Sequence, residues 1–235
     1  MTPSWYKWAV LTIGTLAGFT FALDSSMVGF SIAHLCQVFD ADVGDTQWVI
    51  TGFLLAAGMV VPSCGYLADR FGIKRVFLAG FALFTIFAAA SGSATNLNAL
   101  IVFRVVQGIG GGLFIPLGLA MIFRVVAHEE RGKFLGILLG VSLIAPALGP
   151  VLGGYLVEYA SWRWVFLLQV PIGVLAIILT LAWFREQKLP AWGGFDLPGL
   201  MLSAAGFGLL LYALSEAPDR GWGDPLKSHY FSPRW

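Results

Sequence analysis

The chain of 235 residues is 58% hydrophobic and only 11% charged, and its net charge is +1. A soluble domain would carry about 25% charged residues, so the composition excludes an ordinary soluble domain and predicts a protein that crosses a membrane several times. The small net charge, together with the confinement of the bases to a few loops, also argues against a nucleic-acid partner.

The first hundred residues contain three predicted membrane spans, each close to the ~20 residues that cross a bilayer. The first span runs from about Trp8 to Phe30, with an outer end that extends toward Cys36. Residues 37–47 contain three aspartates and no base, which is typical of an outer loop. The second and third spans are predicted at residues 48–66 and 76–93.

Three further spans are predicted from about Ala99 to Val126, from Phe134 to Tyr159 and from Val165 to Phe184. Residues 1–184 therefore form a predicted six-span domain, and a cytoplasmic linker follows at residues 185–196. Because lipid offers no hydrogen-bonding partner to backbone groups, every span is expected to be an α-helix.

A seventh span is predicted at residues 197–215, and residues 216–235 form a polar outer tail with no stretch long enough to cross. Basic residues cluster in every second loop, and the positive-inside tendency places those loops and the N-terminus in the cytoplasm. The predicted location is the plasma (inner) membrane. We call the end of the protein that carries the basic loops the inner end and the opposite end the outer end.

The two groups of three spans have matching layouts, in which short loops connect consecutive helices. The first group starts at the inner end and the second starts at the outer end, as an inverted repeat requires. The predicted fold is an all-α membrane protein, in which a six-helix bundle of two inverted repeats is followed by a seventh transmembrane helix.

Residues 65–75 form the most charged short segment between two long apolar stretches, and they predict a tight loop at the inner end. Gly65 is expected to let two helices approach closely, and Gly72 is expected to permit a turn. An ordinary basic hairpin loop between two spans is the alternative interpretation. We call the following residues the cytoplasmic gate: Gly65, Asp69, Arg70, Gly72, Lys74 and Arg75.

Asp24 and Arg104 are charged residues inside predicted spans. Counted from the predicted outer ends of their spans, both lie roughly 8–9 Å deep, so they are expected to pair directly or through water if spans one and four are adjacent. Gln107 lies one turn from Arg104 on the same face. Two alternatives stay open: Asp24 as a helix-end acid near the headgroups, and Arg104 as a side chain that snorkels to the outer interface. We call Asp24, Arg104 and Gln107 the polar triad.

Span five contains Pro146, Gly149, Pro150, Gly153 and Gly154, a combination that would disrupt a helix in a soluble protein. In a membrane bundle the prolines kink a helix, and the glycines allow close contact between backbones. The segment therefore predicts a bending helix that packs tightly against a neighbour.

Three motifs resemble the major facilitator superfamily. The order G-x-L-A-D-R-x-G-x-K-R at residues 65–75 resembles its loop between spans two and three, although Ile73 stands where a base is common. Arg104, Gln107, Gly108 and Gly110 resemble its span-four motif. The G-P-x-x-G-G order at residues 149–154 resembles the motif of its antiporter branches.

Three further stretches narrow the resemblance to the drug:proton antiporters with fourteen spans. These are Leu23-Asp24 with Val28, the S-W-R-W-V-F sequence at residues 161–166 with Gln169 where asparagine is usual, and the F-D-L-P-G sequence at residues 195–199. Gly29, Phe30 and Ala33 depart from the usual end of the span-one motif. A complete member would be about twice as long, so the chain resembles an N-terminal half.

The resemblance implies export of hydrophobic or cationic small molecules driven by inward proton flow. Asp24 would carry the proton, Arg104 and Gln107 would tune it, the span-five residues would bend, and the cytoplasmic gate would latch the inner end. The implied partners are the lipid bilayer, protons, a small-molecule substrate and a missing C-terminal half, with no cofactor. Without that half, the polar triad is expected to be open to lipid or to a water-filled crevice.

Two rival functions stay open: an exporter of a metabolite or siderophore with the same fold, and a truncated chain that does not transport and serves as an assembly partner. No nucleophile–base arrangement, phosphate loop or metal-ligand spacing supports an enzyme. The two cysteines, Cys36 and Cys64, are expected near opposite ends of neighbouring helices, where they would not form a disulfide.

Overall fold

A computed structural model describes residues 4–186 and isolated positions between 198 and 209. Its α-helices, within the part that the structure describes, are α1 (Ser4–Phe39), α2 (Val43–Val60), α3 (Cys64–Phe71), α4 (Ile73–Gly92), α5 (Leu97–Gly111), α6 (Phe114–Val125), α7 (Arg131–Ser142), α8 (Ile144–Tyr159), α9 (Arg163–Leu167) and α10 (Gln169–Trp183). Short 3-10 turns at Val61–Ser63 and His128–Glu130 precede α3 and α7.

These helices make six spans in the described residues that are long and apolar enough to cross a membrane. They are Ser4–Phe39, Val43–Phe71, Ile73–Gly92, Leu97–Val125, His128–Tyr159 and Arg163–Trp183, which we number one to six. The predicted all-α, six-span bundle is thus confirmed. The predicted seventh span at residues 197–215 and the tail after it lie mostly or wholly outside the described residues.

Span one is longer than predicted, because α1 continues without interruption to Phe39. The outer loop expected at residues 37–47 shrinks to a turn at residues 40–42, in which Asp40 has a φ of 48°. Asp45 lies in the first turn of α2, where a carboxylate interacts favourably with the free N–H groups of the helix end. The acidic residues that suggested a loop therefore also suit a helix start.

The tight loop predicted at residues 65–75 is wrong in extent. Residues up to Phe71 belong to α3 and residues from Ile73 belong to α4, so Gly72 alone separates two helices. Gly72 has a φ of +91°, a conformation that glycine adopts without the penalty that a side chain would bring. The close approach expected at Gly65 is absent, since a side chain there would meet nothing within 4 Å.

The packing of the spans follows the exchange symmetry of an inverted repeat. If spans one, two and three correspond to four, five and six, a contact between one and five implies a contact between four and two. Both pairs are the most extensive in the bundle. Spans one and four also pack on each other, as do spans three and six. Exchange of the two repeats swaps the two members of each of these pairs, so both contacts agree with the symmetry.

Glycines in span four let it approach two neighbours at backbone distance. A side chain on Gly108 would strike the Phe53 backbone of span two, and one on Gly110 would come within 2.6 Å of the Gly80 carbonyl oxygen of span three. Van der Waals contact of this kind drives helix association in lipid, where the hydrophobic effect is weak. The close packing at these glycines also places Arg104, which lies one to two turns before them on span four, against spans one and two.

Two apolar clusters flank the middle of the bundle. The inner cluster contains a group of phenylalanines in which the Phe81 and Phe114 rings stack at 4.0 Å between centroids. The outer cluster contains Leu35 and Trp162, and Trp162 packs edge-on against Phe39 at 5.3 Å. The polar triad lies among residues of both clusters, which exclude water from it.

Candidate functional site

The polar triad is enclosed by the bundle, and all three side chains have no exposed surface. Arg104 Nη1 donates to both carboxylate oxygens of Asp24, at 3.0 Å to Oδ1 and 2.8 Å to Oδ2. Gln107 Nε2 donates to Asp24 Oδ1 at 3.2 Å, and Gln107 Oε1 accepts from Arg104 Nη1 at 2.9 Å. The expectation of a direct pair between spans one and four is confirmed.

Asp24 is not a helix-end acid. Fifteen residues of α1 follow it, so it lies roughly 22 Å from the outer end of its helix instead of about 9 Å. Arg104 lies seven residues into α5, roughly 10 Å from the start of that helix. The two meet because α1 extends well beyond α5 at the outer end, which hydropathy alone did not show.

Arg104 does not snorkel to the interface, because its whole side chain is buried and held on several sides. Its Nε donates to the carbonyl oxygen of Val49 in span two at 3.1 Å. The guanidinium carbon lies 4.1 Å from the centroid of the Phe53 ring and 5.7 Å from that of Phe166. The face of an aromatic ring attracts a cation most strongly where water is excluded, so Phe53 adds to the attraction of Asp24.

Some buried side-chain polar atoms of the bundle have no protein partner. Among the described residues, these are Thr15 Oγ1, Ser25 Oγ, Thr85 Oγ1, Arg104 Nη2 and Gln169 Oε1. Gln169 is fully buried in span six, and its Nε2 lies 4.0 Å from Sδ of Met27, which is one turn after Asp24 in span one. Only Arg104 Nη2 belongs to the buried ion pair, so the pair keeps one donor that another polar group can use.

The expectation that the triad would be open in the absence of a second half is wrong. The six described spans alone leave none of its surface exposed, and its charges compensate each other. The physical reason is that spans one, two and four converge on it, so the bundle supplies its own enclosure.

The bending helix is divided at Leu143, where α7 ends and α8 begins. Pro146 lies in the first turn of α8, where a missing N–H costs nothing, and Pro150 lies inside the helix. Because Pro150 has no N–H, the carbonyl oxygen of Pro146 loses its partner within the helix. Ser26 Oγ of span one donates to that oxygen at 3.1 Å.

Gly149 and Gly153 explain how span five comes so close to Ser26 of span one. A side chain on Gly149 would strike Ser26, and one on Gly153 would lie 3.0 Å from the Met27 carbonyl oxygen. Gly154 differs, because it points outward and a side chain there would meet nothing within 4 Å. Span five therefore packs on span one within two residues of Asp24.

At the inner end, the cytoplasmic gate consists of helix ends joined by one glycine. Asp69 forms an ion pair with Arg124 of span four at 3.5 Å, and Arg70 Nη1 donates to Tyr66 Oη at 2.6 Å. Both pairs are partly exposed and contribute at most about 1 kcal/mol each. Sequence reasoning missed Arg124, whose signal was a base at the inner end of a neighbouring span.

The two remaining charged residues of the gate, Lys74 and Arg75, contact the end of span six and Glu186 just beyond it. Glu186 Oε1 accepts from the Lys74 backbone N–H at 3.2 Å, and Glu186 Oε2 lies 4.0 Å from Arg75 Nε. Lys74 Nζ donates to the Leu181 carbonyl oxygen of span six at 3.0 Å. Sequence reasoning treated Glu186 only as part of a charged loop.

Comparison with known proteins agrees with these features. The family profile described as Major Facilitator Superfamily matches residues 14–231 of the chain. The chain belongs to the Major Facilitator Superfamily. This membership confirms the resemblance read from the motifs, and it confirms that the chain is of a transporter family and not an enzyme.

Several relatives are similar over most of the chain. The MFS-type transporter YhcA of Bacillus subtilis is 35% identical over 217 residues, which are 92% of this chain and 41% of that protein. A multidrug resistance protein B homolog of Mycobacterium tuberculosis is 37% identical over 189 residues, which are 79% of this chain and 35% of that protein. A multidrug resistance protein named MdtD, from Yersinia enterocolitica, is 34% identical over 217 residues, which are 92% of this chain and 46% of that protein.

The chain thus spans less than half the length of these relatives, and it corresponds to their N-terminal half. Among solved structures, a partially occluded, inward-open form of the xylose transporter XylE from E. coli matches with a TM-score of 0.70. It is 18% identical and covers 93% of this chain and 60% of that chain. At this identity the match supports the fold alone.

Proposed function

We propose that this chain is the N-terminal half of a transporter that exports hydrophobic or cationic small molecules in exchange for protons. The observation that carries the proposal is the fully buried contact of Asp24 with Arg104 and Gln107. An intramembrane carboxylate is costly and is usually functional, and here it is the only fully buried acid among the described residues. The names of two relatives, multidrug resistance proteins, favour a drug-like substrate.

In the proposed mechanism, Asp24 gains a proton from the outer side and becomes neutral. Its attraction for Arg104 then falls, and a buried guanidinium is left without a compensating charge, which costs several kcal/mol. The protein relieves that cost by rearranging spans one and four, while Arg104 keeps the Val49 carbonyl and the Phe53 ring as partners. Release of the proton on the inner side restores the ion pair.

Other parts of the chain have supporting roles in this proposal. The bending helix would move with span one, since Ser26 and Gly149 join the two near Asp24. The cytoplasmic gate would hold the inner end closed until the pair breaks. The chain would lie in the plasma (inner) membrane with its N-terminus in the cytoplasm, because the basic residues of the gate mark that side.

The test is export by the full-length protein in vesicles with an imposed proton gradient. Asp24→Asn keeps the shape of the side chain but cannot exchange a proton, so gradient-driven flux of a fluorescent organic cation should fall at least about tenfold. The matched control is Asp45→Asn, which alters an exposed aspartate at the outer end and should leave flux unchanged. Undiminished proton-coupled export by Asp24→Asn would contradict the proposed role.

The same vesicles separate the rival functions. Proton-coupled flux of a polar metabolite or a siderophore, with none of organic cations, would favour an exporter with another substrate. No flux of any tested compound, with correct insertion in the membrane, would favour a chain that acts only as an assembly partner.

A further inference from the structure

The inner ends of spans three and six lie side by side and point in opposite directions. Helix α4 begins at Ile73, directly after the turn at Gly72, and α10 ends at Trp183. The first N–H groups of one helix therefore lie next to the last carbonyl groups of the other. Groups of both kinds lack partners within their own helices.

Each of these helix ends is capped by a residue from the other span. The N-cap residue of α4, Gly72, has no side chain that could accept a hydrogen bond, and the Glu186 carboxylate accepts from the Lys74 N–H instead. At the end of α10, the Thr180 carbonyl oxygen accepts from Phe184, and the next carbonyl oxygen, that of Leu181, accepts from Lys74 Nζ. An anion thus lies at a helix N-terminus and a cation at a helix C-terminus, where the helix dipoles favour them.

Gly72 leaves space for this arrangement as well as for the turn. A side chain on Gly72 would strike the Glu186 carboxylate, with its added carbon 2.9 Å from Oε2. Glu186 is three-quarters buried, with 25% of its side chain exposed, whereas Arg75 beside it is 68% exposed. The carboxylate is therefore fixed mainly by the helix end, and the Arg75 contact at 4.0 Å is secondary.

We propose that Lys74 and Glu186 form a reciprocal cap that fixes the inner end of span six to the turn between spans two and three. Glu186 is then a positioning residue for the cytoplasmic gate, because the backbone it holds carries Asp69 and Arg70 on one side of Gly72 and Arg75 on the other. The Lys74 ammonium is held by the Leu181 carbonyl oxygen of span six. The gating consequence rests on the proposed function, whereas the cap itself does not.

The native cysteines provide a test of the cap that does not depend on transport. Cys64 is buried at the start of α3, with its Sγ 3.9 Å from the Gly112 carbonyl oxygen, and loosening of the gate should expose it. Cys36, on span one near the outer end, is the internal reference. The measurement is the rate of maleimide labelling of each cysteine in the 235-residue chain in nanodiscs, where both faces are accessible.

Glu186→Ala should raise the Cys64 labelling rate about tenfold, the effect of losing one hydrogen bond to a charged group, with Cys36 unchanged. Glu186→Gln keeps an oxygen that accepts from the Lys74 N–H and loses only the charge, so a rise of about threefold is expected. Gly72→Ala keeps every charge, but it displaces the carboxylate and also strains a backbone with a φ of +91°, so the Cys64 labelling rate should rise at least as much as in Glu186→Ala. Glu129→Ala, at an exposed acid of the same inner end, is the matched control and should have no effect.

A variant of Arg75 distinguishes the cap from an ordinary ion pair. Arg75→Ala removes the 4.0 Å contact with Glu186 but leaves the carboxylate bound to the Lys74 N–H. The cap therefore predicts a Cys64 labelling rate close to wild type in Arg75→Ala, whereas an ion pair predicts the same rise as in Glu186→Ala. An equal rise in the two variants, no change in Glu186→Ala, or an equal rise at Cys36 and Cys64 would each overturn the proposal.

The two proposals fail separately. If export does not depend on Asp24 but Cys64 responds as described, the reciprocal cap stands without the transport mechanism. If Asp24→Asn abolishes coupled export and Cys64 does not respond to Glu186→Ala, the transport mechanism stands without the cap.

Discussion

Ser26 of span one donates a hydrogen bond to the carbonyl oxygen of Pro146 in span five, at 3.1 Å. That oxygen is free because Pro150, four residues later, has no N–H to give it. The proline that weakens span five is therefore compensated by a serine two residues after the buried Asp24. This contact connects the bend of one span to the charge of another.

Replacement of Ser26 by alanine should leave the Pro146 carbonyl oxygen without a partner and loosen the two spans. The hydrogen bond lies at the exposed surface of the bundle. A neutral hydrogen bond is worth about 1 kcal/mol, so the melting temperature should fall by a few degrees. Coupled export should fall several-fold more than stability alone explains, since the bend would no longer follow span one. Ser93→Ala, at an outer turn, is the control, and equal effects of the two variants would contradict this link.

Arg104→Lys should impair coupled export at least about tenfold, because an ammonium cannot reproduce the planar fork that bonds Asp24 and the Val49 carbonyl at once. The charge is kept, so insertion and expression should be close to wild type. The measurement is gradient-driven flux by the full-length protein. Arg185→Lys, at an exposed position of the inner end, is the matched control. Wild-type coupling in Arg104→Lys would show that a positive charge alone suffices.

Phe53→Leu should destabilise the bundle by about 1–2 kcal/mol more than Phe81→Leu. Both residues are fully buried among aromatic rings and both changes keep an apolar side chain, but only the Phe53 ring lies over the Arg104 guanidinium. Phe81 packs against Phe77 and Phe114, whose ring centroids lie 5.0 and 4.0 Å away. Thermal unfolding of the purified variants measures the difference. Equal losses would mean that the Phe53 ring contributes by packing alone.

An impermeant thiol reagent added to intact cells should label Cys36 faster than Cys64. Cys36 is half-buried near the outer end, whereas Cys64 is buried toward the inner end. Cys36→Ser should remove nearly all labelling from outside. Preferential outside labelling of Cys64 would overturn the cytoplasmic placement of the gate and of the N-terminus.

Residues 1–235 by themselves should insert in a membrane and show no saturable flux. In transporters built from repeats, the substrate binds between halves that move against each other, and the described spans form one such half. Because the triad is enclosed, open charges do not destabilise the isolated chain. Reconstitution of the purified chain with a proton gradient tests this, and robust saturable flux would contradict it.

The sequence by itself determined the number of described spans, the approximate limits of most of them, the superfamily, and which charged residues lie inside spans. These properties follow from local hydropathy and from motif spacing. A carboxylate such as Asp24 stands out in an apolar stretch whatever its neighbours are. The same local information misjudged both ends of span one and read two helix ends around Gly72 as a loop, because charged residues suit helix ends and loops alike.

Only the tertiary structure decided which groups meet. Arg104 bonds the Val49 carbonyl, Ser26 bonds the Pro146 carbonyl, and Glu186 caps a helix of span three at Lys74. These contacts join residues that are 55, 120 and 112 positions apart in sequence, respectively. In the sequence these groups have no unusual feature, since they are a backbone oxygen, a serine and an acid in a loop. Backbone contact between small residues brings them together, and in lipid each freed polar group must then find a partner inside the bundle.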